Sequence, residues 1–404
     1  MAAFSGVIAE TIKLGIFSHK LDEEIGKIII DDLIVESEDD EFLTENYEKE
    51  GKLDTEKLIQ DFLAKHYIES PKEQYGQGID QEILCVSIAI AGPVEGEKGN
   101  RIASVSRPPN LEVTFSESDF QKPPISYAPV VFLNDMLAIG ENIFLPEYKS
   151  NFTRIDQKGK IQEKGRKGLL LVEGGLGAAL WFFFDADNEE EKIDSLSSEY
   201  GHTIFSSRTE EENIIAKVLK KYRPNKDGID QAISKEYALS GPGFVRIYEI
   251  LKTPEIYNQE TGKIQYSEEV GDLPERLLQL ENIAPKDVIE KAINKSDSLA
   301  VKTLEIFVGI MGSVAGDFAL IHQAKGGIYI GGYTNIFNLL KTDEKLKTIF
   351  LEAFTDREKK FHAYNEEIPV FIYDFEDSPL WGAARYAVDQ GLVTKGKFDN
   401  PDAQ

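Results

Sequence analysis

Cysteine is almost absent from this sequence, because Cys85 is the only one among 404 residues. A single cysteine cannot form a disulfide within the chain, and this indicates a reducing intracellular compartment, in the first place the cytoplasm. The five histidines are scattered, so no structural metal site is expected. The first residues, MAAFSGVIAETIK, lack the basic start and apolar core that are typical of a signal peptide.

Positive charge is also scarce. The chain has 45 lysines and arginines against 71 acidic residues, which gives a formal net charge of −26. This balance argues against nucleic acid and anionic membrane surfaces as partners. The most apolar stretch, 168–184 (GLLLVEGGLGAALWFFF), is interrupted by Glu173 and several glycines. It therefore predicts two strands joined by a turn, and no membrane insertion is expected.

The length of the chain favours two domains over a single small core. The apolar patterns predict strands over 4–17, 24–36, 82–92 and 128–135. Polar or acidic loops are predicted over 37–56, 148–167 and 185–198. The C-terminal half alternates helices with strands and includes one long apolar helix, SDSLAVKTLEIFVGIMGSVAGDFALIHQ.

Two stretches, 4–17 and 168–184, share the pattern of apolar strand, short turn and apolar strand, and each opens one half of the chain. Any β-hairpin shows this pattern, so the repeat is weak alone. Five other stretches follow in a specific order: SIAIAGPVEG, VVFLNDMLAIGENI, SSEYGHTIFSSRTEEENII, EYALSGPGFVRIYEIL and GGIYIGGYTNIF. With them the chain, from about residue 4 to residue 390, resembles bacterial-type glucokinases, of the hexokinase branch of the actin-like ATPase superfamily.

The resemblance implies an α/β protein with the two-domain actin-like ATPase (RNase H-like) fold, in which mixed sheets flanked by helices surround a central cleft. We expect a small domain over 1–134, joined by a closing helix at about 379–390. A large domain is expected over 135–378, followed by a polar tail at 391–404. Each domain is expected to have a five-stranded mixed sheet.

The resemblance also implies a hexose site. Asp135 matches the family's catalytic base, which takes the proton of the attacking hydroxyl. Asn134, Glu199, His202 and Glu236 match the sugar-binding positions. Carboxylates, amides and imidazoles in a concave site suit a ligand whose hydroxyls both donate and accept hydrogen bonds.

Each of these residues has a simpler interpretation when it is taken alone. Asn-Asp after a strand is typical of a turn or a helix cap. Glu199 could be a solvated loop acid, His202 a structural hydrogen-bonding group, and Glu236 a residue that flanks a helix start. Their joint occurrence in the family's order favours the sugar site.

The sequence departs from the family at the first turn that should hold ATP phosphates and Mg²⁺. The family has Asp-x-Gly-Gly-Thr there, where the Asp organises Mg²⁺ and the glycines let backbone N–H groups approach phosphate. Residues 7–11 read Val-Ile-Ala-Glu-Thr, in which only Thr11 matches and Glu10 introduces an acid.

The second phosphate turn departs in the same way. The family's Gly-Thr-Gly-Leu-Gly is replaced by Glu-Gly-Gly-Leu-Gly at 173–177, which keeps Gly175 and Gly177 but introduces Glu173. A carboxylate about 4 Å from one phosphate charge costs roughly 4 kcal/mol at an effective dielectric near 20. That cost corresponds to about a thousandfold in affinity.

Two more family motifs are altered or partly kept. The adenosine-side stretch GGIYIGGY keeps Gly331 and Gly332, although close packing of a strand end explains such glycines equally well. The sugar-side loop at 104–113 reads SVSRPPNLEV, with Arg107 and without the family's Trp.

The sequence therefore predicts a glucokinase-family protein with a retained hexose pocket and degenerate phosphate turns. Such a protein would be a catalytically impaired sugar-binding, structural or assembly component, in other words a pseudoenzyme. The alternative is an active ATP-dependent glucokinase that phosphorylates the 6-hydroxyl of glucose with Asp135 as base. A different sugar or phosphate donor also stays open because of Arg107. Glucose or a similar hexose is the expected partner, the family implies ATP and Mg²⁺ as cofactors, and a homo-oligomer or larger assembly is left open.

Overall fold

The computed structural model separates into two contact-defined units, Met1–Lys149 with Phe375–Gln404 and Ser150–Asp374. The structure describes residues 2–8, 11–22, 27–37, 44–49, 52–66, 85–90, 92, 94–97, 100–107, 111–120, 129–144, 152–156, 158–185, 191–222, 232–265, 283–332, 334–373 and 378–389.

The described strands are, in chain order, β1 (Ala2–Ile8), β2 (Thr11–Asp22), β3 (Lys27–Glu36), β4 (Glu48–Lys49), β5 (Lys52–Leu53), β6 (Val86–Ile90), β7 (Val94–Glu95), β8 (Ile102–Arg107), β9 (Leu111–Ser116), β10 (Val130–Asn134), β11 (Phe152–Arg154), β12 (Lys167–Val172), β13 (Leu176–Asp185), β14 (Glu191–Ser198), β15 (Tyr257–Asn258), β16 (Lys263–Ile264), β17 (Gly327–Gly332) and β18 (Val370–Tyr373).

The described α-helices are α1 (Thr55–His66), α2 (Asp135–Glu141), α3 (Glu210–Tyr222), α4 (Lys235–Ala238), α5 (Gly241–Leu251), α6 (Pro285–Ile293), α7 (Ser298–His322), α8 (Thr334–Thr342), α9 (Glu344–Thr355), α10 (Lys359–Glu366) and α11 (Ser378–Asp389).

The main sheets of the two units have matching topologies. In the first unit the order is β10-β6-β1-β2-β3, with β1, β6 and β10 parallel and β1, β2 and β3 an antiparallel meander. In the second unit the order is β11-β18-β17-β12-β13-β14, with β12, β17 and β18 parallel and β12, β13 and β14 the meander. The repeat in the sequence therefore corresponds to a repeated sheet topology, in which each hairpin opens one meander.

The second unit's main sheet has six strands, whereas five were expected. Both edge strands, β11 and β14, lie in stretches that the sequence assigned to polar loops. An edge strand pairs on one side only, so it tolerates polar side chains without the apolar alternation that reveals a buried strand. The stretch at 104–113 is likewise a hairpin of β8 and β9 rather than a plain loop.

The helix that follows Asn134 belongs with the first unit. Helix α2 packs against α11, and the division between the units falls after Lys149, whereas the sequence placed a boundary after residue 134. Gly382 of α11 makes this packing close, because a Cβ there would collide with the carbonyl oxygen of Ala138.

The core of the first unit forms where α11 meets the sheet. Its buried residues recur at helical spacing on α11 and pack with side chains of β2, β6 and β10. They include Leu380, Ala383, Ala384, Ala387, Phe17, Ala89, Val131 and Leu133. Cys85, just before β6, is buried in the same cluster.

Helix α7 is the centre of the second unit's core, as the long apolar stretch predicted. Within the described part of the chain, it is the one helix whose length and hydropathy would allow it to span a membrane, and 78% of its most apolar window is buried inside the protein. Phe307, Met311 and Phe318 are fully buried along it. The apolar character of α7 is thus accounted for by core packing.

Candidate functional site

The hairpin between β12 and β13 turns over three residues, Glu173, Gly174 and Gly175. The N–H of Glu173 donates to the carbonyl of Gly175 over 2.9 Å, and the N–H of Gly241 donates to the carbonyl of Glu173 over 2.7 Å. The second bond ties the turn to the start of α5. Glu173 and Gly174 are exposed as residues, but nearby protein atoms displace water from around the Glu173 carboxyl, and this desolvation raises its pKa.

Glu236 lies directly at this turn. Its Oε2 accepts a hydrogen bond from the N–H of Leu176 over 3.0 Å. A Cβ on Gly175 would come within 2.6 Å of the same oxygen, at the end of the Glu236 side chain, so glycine leaves room for the carboxylate in this position. The structure thus gives Gly175 a role that needs no phosphate.

Glu199 and His202 lie together on one short turn after β14. The turn Tyr200–His202 is a single 3₁₀ turn, closed by bonds from the His202 N–H to the Glu199 carbonyl (3.0 Å) and from the Thr203 N–H to the Tyr200 carbonyl (3.1 Å). Nε2 of His202 lies 3.5 Å from Oε2 of Glu199, and both side chains are exposed. Their polar atoms are therefore accessible to a ligand.

The turn with Glu199 and His202 packs against the hairpin that Glu236 holds. A Cβ on Gly201 would collide with the carbonyl oxygen of Leu176, so backbone meets backbone at this point. Leu176 is therefore contacted on both sides: its N–H donates to Glu236, and its carbonyl packs against Gly201. In this way the structure brings three of the predicted sugar residues to one junction of the second unit.

Lys235 is a buried residue of this junction that the sequence analysis missed. Its Nζ donates to Oγ1 of Thr203 over 2.7 Å and to the carbonyl of Ile204 over 3.0 Å, and lies 4.6 Å from the ring centroid of Tyr200. Burial lowers the pKa of its ammonium, an effect that the charge of Asp317 opposes. The partners of its ammonium lie 32 and 31 residues earlier in the chain, so no local pattern in the sequence marks Lys235.

Ser234 and Ser240 explain why the chain turns sharply around Glu236. The hydroxyl of Ser234 accepts from the N–H of Tyr237 and caps α4, and the hydroxyl of Ser240 accepts from the N–H of Gly243 and caps α5. The Ser-Gly-Pro-Gly motif is thus the N-terminus of α5.

Asn134 and Asp135 lie in the first unit, at the junction of β10 with α2. Oδ1 of Asn134 accepts from the N–H of Met136 over 3.0 Å, and its Nδ2 donates to the carbonyl of Gly92 over 3.0 Å. Asn134 is buried and acts as the helix cap, the simpler of its two interpretations. Asp135 is half-buried, and its Oδ1 accepts from the N–H of Met136 over 2.8 Å.

Comparison with known proteins assigns the family. A glucokinase family model matches residues 33–390, which is most of the chain. This protein belongs to the glucokinase family. The match begins after the first hairpin, so residues 4–17, where the sequence departs from the family turn, lie outside it.

Individual glucokinases agree with this assignment. The glucokinase of Nitrobacter hamburgensis is 29% identical over 314 residues, covering 75% of this chain and 80% of that protein. Two solved structures show the same fold. The glucokinase of an Antarctic psychrotroph has a TM-score of 0.62 at 20% identity, covering 95% and 97% of the two chains. The glucokinase of Balamuthia mandrillaris, solved in complex with glucose, has a TM-score of 0.60 at 18% identity, covering 96% and 93%.

The fold is therefore the α/β actin-like ATPase fold of the glucokinase family. Within it, Gly332 has a positive φ of +129°, and a Cβ there would collide with the carbonyl oxygen of Val172. The close pairing of β17 with β12 thus explains Gly332. Gly331 of β17 pairs with Leu171 of β12, and Gly177 of β13 pairs with Leu171 on the other side of β12.

The first phosphate turn, residues 7–11, is described only in part. Glu10 lies outside the described residues, and Thr11 is described only as the first residue of β2. Among the residues that the structure describes, no three or more His, Cys, Asp and Glu side chains are arranged to hold a metal ion.

Proposed function

We propose that this glucokinase-family protein binds glucose or a similar hexose and that its phosphate transfer is impaired. The observation that carries the proposal is the junction at Leu176. Glu199 and His202, the proposed hexose-binding residues, are exposed beside it. In the turn that should hold phosphate, the N–H of Leu176 already donates to Glu236, and Glu173 adds a carboxyl.

Three points support the hexose site. Glu199 and His202 offer acceptors and a donor at hydrogen-bond spacing, as a polyhydroxylated ligand requires. Glu236 is fixed against the same turn by Leu176. The Balamuthia mandrillaris relative is a glucokinase that was solved with glucose, which makes glucose the first ligand to test.

Asp135 is the proposed base, and Asn134 the proposed partner on the same helix start. The Met136 N–H holds Oδ1 of Asp135, which orients the carboxylate to take the proton of a hexose hydroxyl.

The residues of the second hairpin fit ATP and Mg²⁺ only in part. Gly174 leaves the backbone open, because a Cβ there would meet no atom within 4 Å. The Leu176 N–H, however, is already used by Glu236, and Glu173 sets a carboxyl beside the turn. When bound, ATP with Mg²⁺ would supply the phosphoryl group, and we propose that these features weaken its binding.

The deciding experiment measures glucose binding by calorimetry and sugar phosphate formation with ATP and Mg²⁺. We expect glucose to bind and turnover to be very low. Glu173→Gly, which restores the family residue, should tighten ATP binding by about tenfold or more through the removal of one repulsive charge. Folded protein that binds no glucose, or wild type with rapid turnover that Asp135→Asn abolishes, would overturn the proposal.

An active glucokinase is the second candidate, favoured by two observations on Glu173. The side chain is exposed rather than locked in the turn, and its raised pKa leaves the carboxyl neutral over a wider pH range. If this candidate is correct, turnover should rise as the pH is lowered toward that pKa, and Glu173→Gln should remove the dependence.

A further inference from the structure

Lys235 occupies the space behind the turn that carries Glu199 and His202. Its side chain is almost entirely buried, with 7% of its surface exposed. The ammonium binds a hydroxyl, a carbonyl and an aromatic face, those of Thr203, Ile204 and Tyr200. The groups that it bonds are neutral, and among the described residues the charge that acts on the ammonium is that of Asp317.

On its C-terminal side the turn is held by Lys235 and by the two residues before it, since the N–H of Phe205 also donates to the Ile233 carbonyl over 2.9 Å. The backbone N–H of Lys235 also donates to the Thr203 carbonyl over 2.9 Å, and Ile204 bridges to Ser234. Tyr200 is fixed from beneath, because its hydroxyl donates to the carbonyl of Val314 in α7 over 3.0 Å. The turn Tyr200–His202 is thus fixed between α7 and Lys235.

The residue next to Lys235 holds the hairpin. Glu236 binds the N–H of Leu176, whose carbonyl packs against Gly201. A dipeptide on the short helix α4 therefore contacts both the turn with the proposed hexose ligands and the proposed phosphate hairpin.

We propose that Lys235 is a positioning residue for hexose binding, which fixes the turn so that Glu199 and His202 keep their geometry toward the sugar. This proposal rests on the proposed function. A buried charge that is bonded only to neutral groups costs stability relative to an apolar side chain of equal size. The charge of Asp317 offsets only part of this cost, because the pKa of Lys235 is still lowered. If the side chain only filled space in the core, methionine would do so at a lower cost. We therefore assign the ammonium to its hydrogen bonds with the turn.

The test compares Lys235→Met, which keeps the length of the side chain and removes its charge and donors, with Lys235→Arg, which keeps both. Lys217→Met on the exposed face of α3 is the matched control. Two quantities are measured for each protein: the Kd for glucose by calorimetry, and the amide hydrogen exchange of residues 200–205 and of α7 without sugar.

We expect Lys235→Met to raise the Kd for glucose by about tenfold or more, since small displacements of binding groups have effects of this size. Exchange at residues 200–205 should accelerate while α7 stays protected. Lys235→Arg should keep the Kd for glucose and the exchange at 200–205 close to the wild-type values, and Lys217→Met should behave as wild type.

Two results would overturn the proposal. One is unchanged glucose affinity and unchanged exchange at 200–205 in Lys235→Met. The other is accelerated exchange throughout α7 as well, which would show a general loss of packing. If wild type itself binds no glucose, the proposed function fails, and the exchange comparison without sugar still decides whether Lys235 holds the turn.

Discussion

At the scale of single residues, several family positions have structural roles of their own. Asn134 caps α2, Gly175 admits the carboxylate of Glu236, and Gly332 permits the pairing of β17 with β12. Residue types that bind nucleotide or sugar in a family can therefore persist for packing reasons. This is why the presence of such residues does not by itself establish activity.

Gly332→Ala should destabilise the protein strongly. Its φ of +129° is unfavourable for any residue with a Cβ, and the added methyl would collide with the carbonyl oxygen of Val172. We expect the free energy of unfolding to fall by about 2 kcal/mol or more, measured by urea denaturation.

Gly174→Ala is the matched control, because a Cβ there meets no atom within 4 Å. Its effect should stay within about 0.5 kcal/mol. Equal stability losses in the two variants would contradict the assignment of Gly332 to backbone packing.

At the scale of elements, the sequence revealed those whose apolar pattern reflects burial. The central strands β6, β10, β12 and β17 and the core helix α7 lie where predicted. Strands β11 and β14 were missed because they are edge strands with mostly polar side chains. In Leu196, which is 55% exposed, β14 even directs an apolar side chain to solvent, so its pattern does not follow burial.

Helix α7 begins at a cap that should control the stability of the second unit. Oδ1 of Asp297 accepts from the N–H groups of Leu299 (2.8 Å) and Ala300 (3.2 Å), and its Oδ2 accepts from the hydroxyl of Tyr248 over 2.5 Å. Asp297→Ala should lower the free energy of unfolding by about 2 kcal/mol, through the lost cap and the unsatisfied hydroxyl. Thermal unfolding measures the loss, and Asp297→Asn should lose less because it still caps.

The same cap predicts a pH dependence. Desolvation acts to raise the pKa of Asp297, but the bonds from Tyr248, Ala300 and Leu299 outweigh it, so the pKa lies below the ordinary value. A carboxylate with a lowered pKa stabilises the folded state above its unfolded pKa of about 3.9, and this stability is lost as the pH falls through the folded pKa.

Asp297→Asn should remove that contribution, so the difference in stability between wild type and variant should shrink as the pH is lowered below about 4. Chemical denaturation at pH 7, 4 and 3 measures it. A difference that stays constant across this range would contradict the role of the charge.

At the scale of the whole molecule, the net charge of −26 is the dominant feature. Self-repulsion among like charges opposes the compact state, and salt screens it over a Debye length of about 8 Å at physiological ionic strength. We expect Tm to rise by roughly 2–4 °C when NaCl is raised from 10 to about 300 mM, as a gain of about 1 kcal/mol implies.

Potassium chloride at equal concentration is the control, since screening depends on ionic strength rather than on the identity of the cation. A Tm that is unchanged or lower in both salts would show that opposite-charge pairs, such as Arg357 with Asp317, contribute more to stability than the repulsion takes away.

The sequence by itself determined the family, the α/β class, the repeated hairpins and the core elements. Buried strands and helices show apolar residues at a regular spacing, and the family motifs are short, continuous stretches. Only the tertiary structure decided the contacts of the junction. Residues 176, 201 and 235–236 are far apart in the chain, and the bonds that join them involve backbone N–H and carbonyl groups. Almost every residue type carries those groups. No sequence pattern could therefore predict that Glu236 binds the N–H of Leu176, or that Lys235 bonds to the turn with Glu199 and His202.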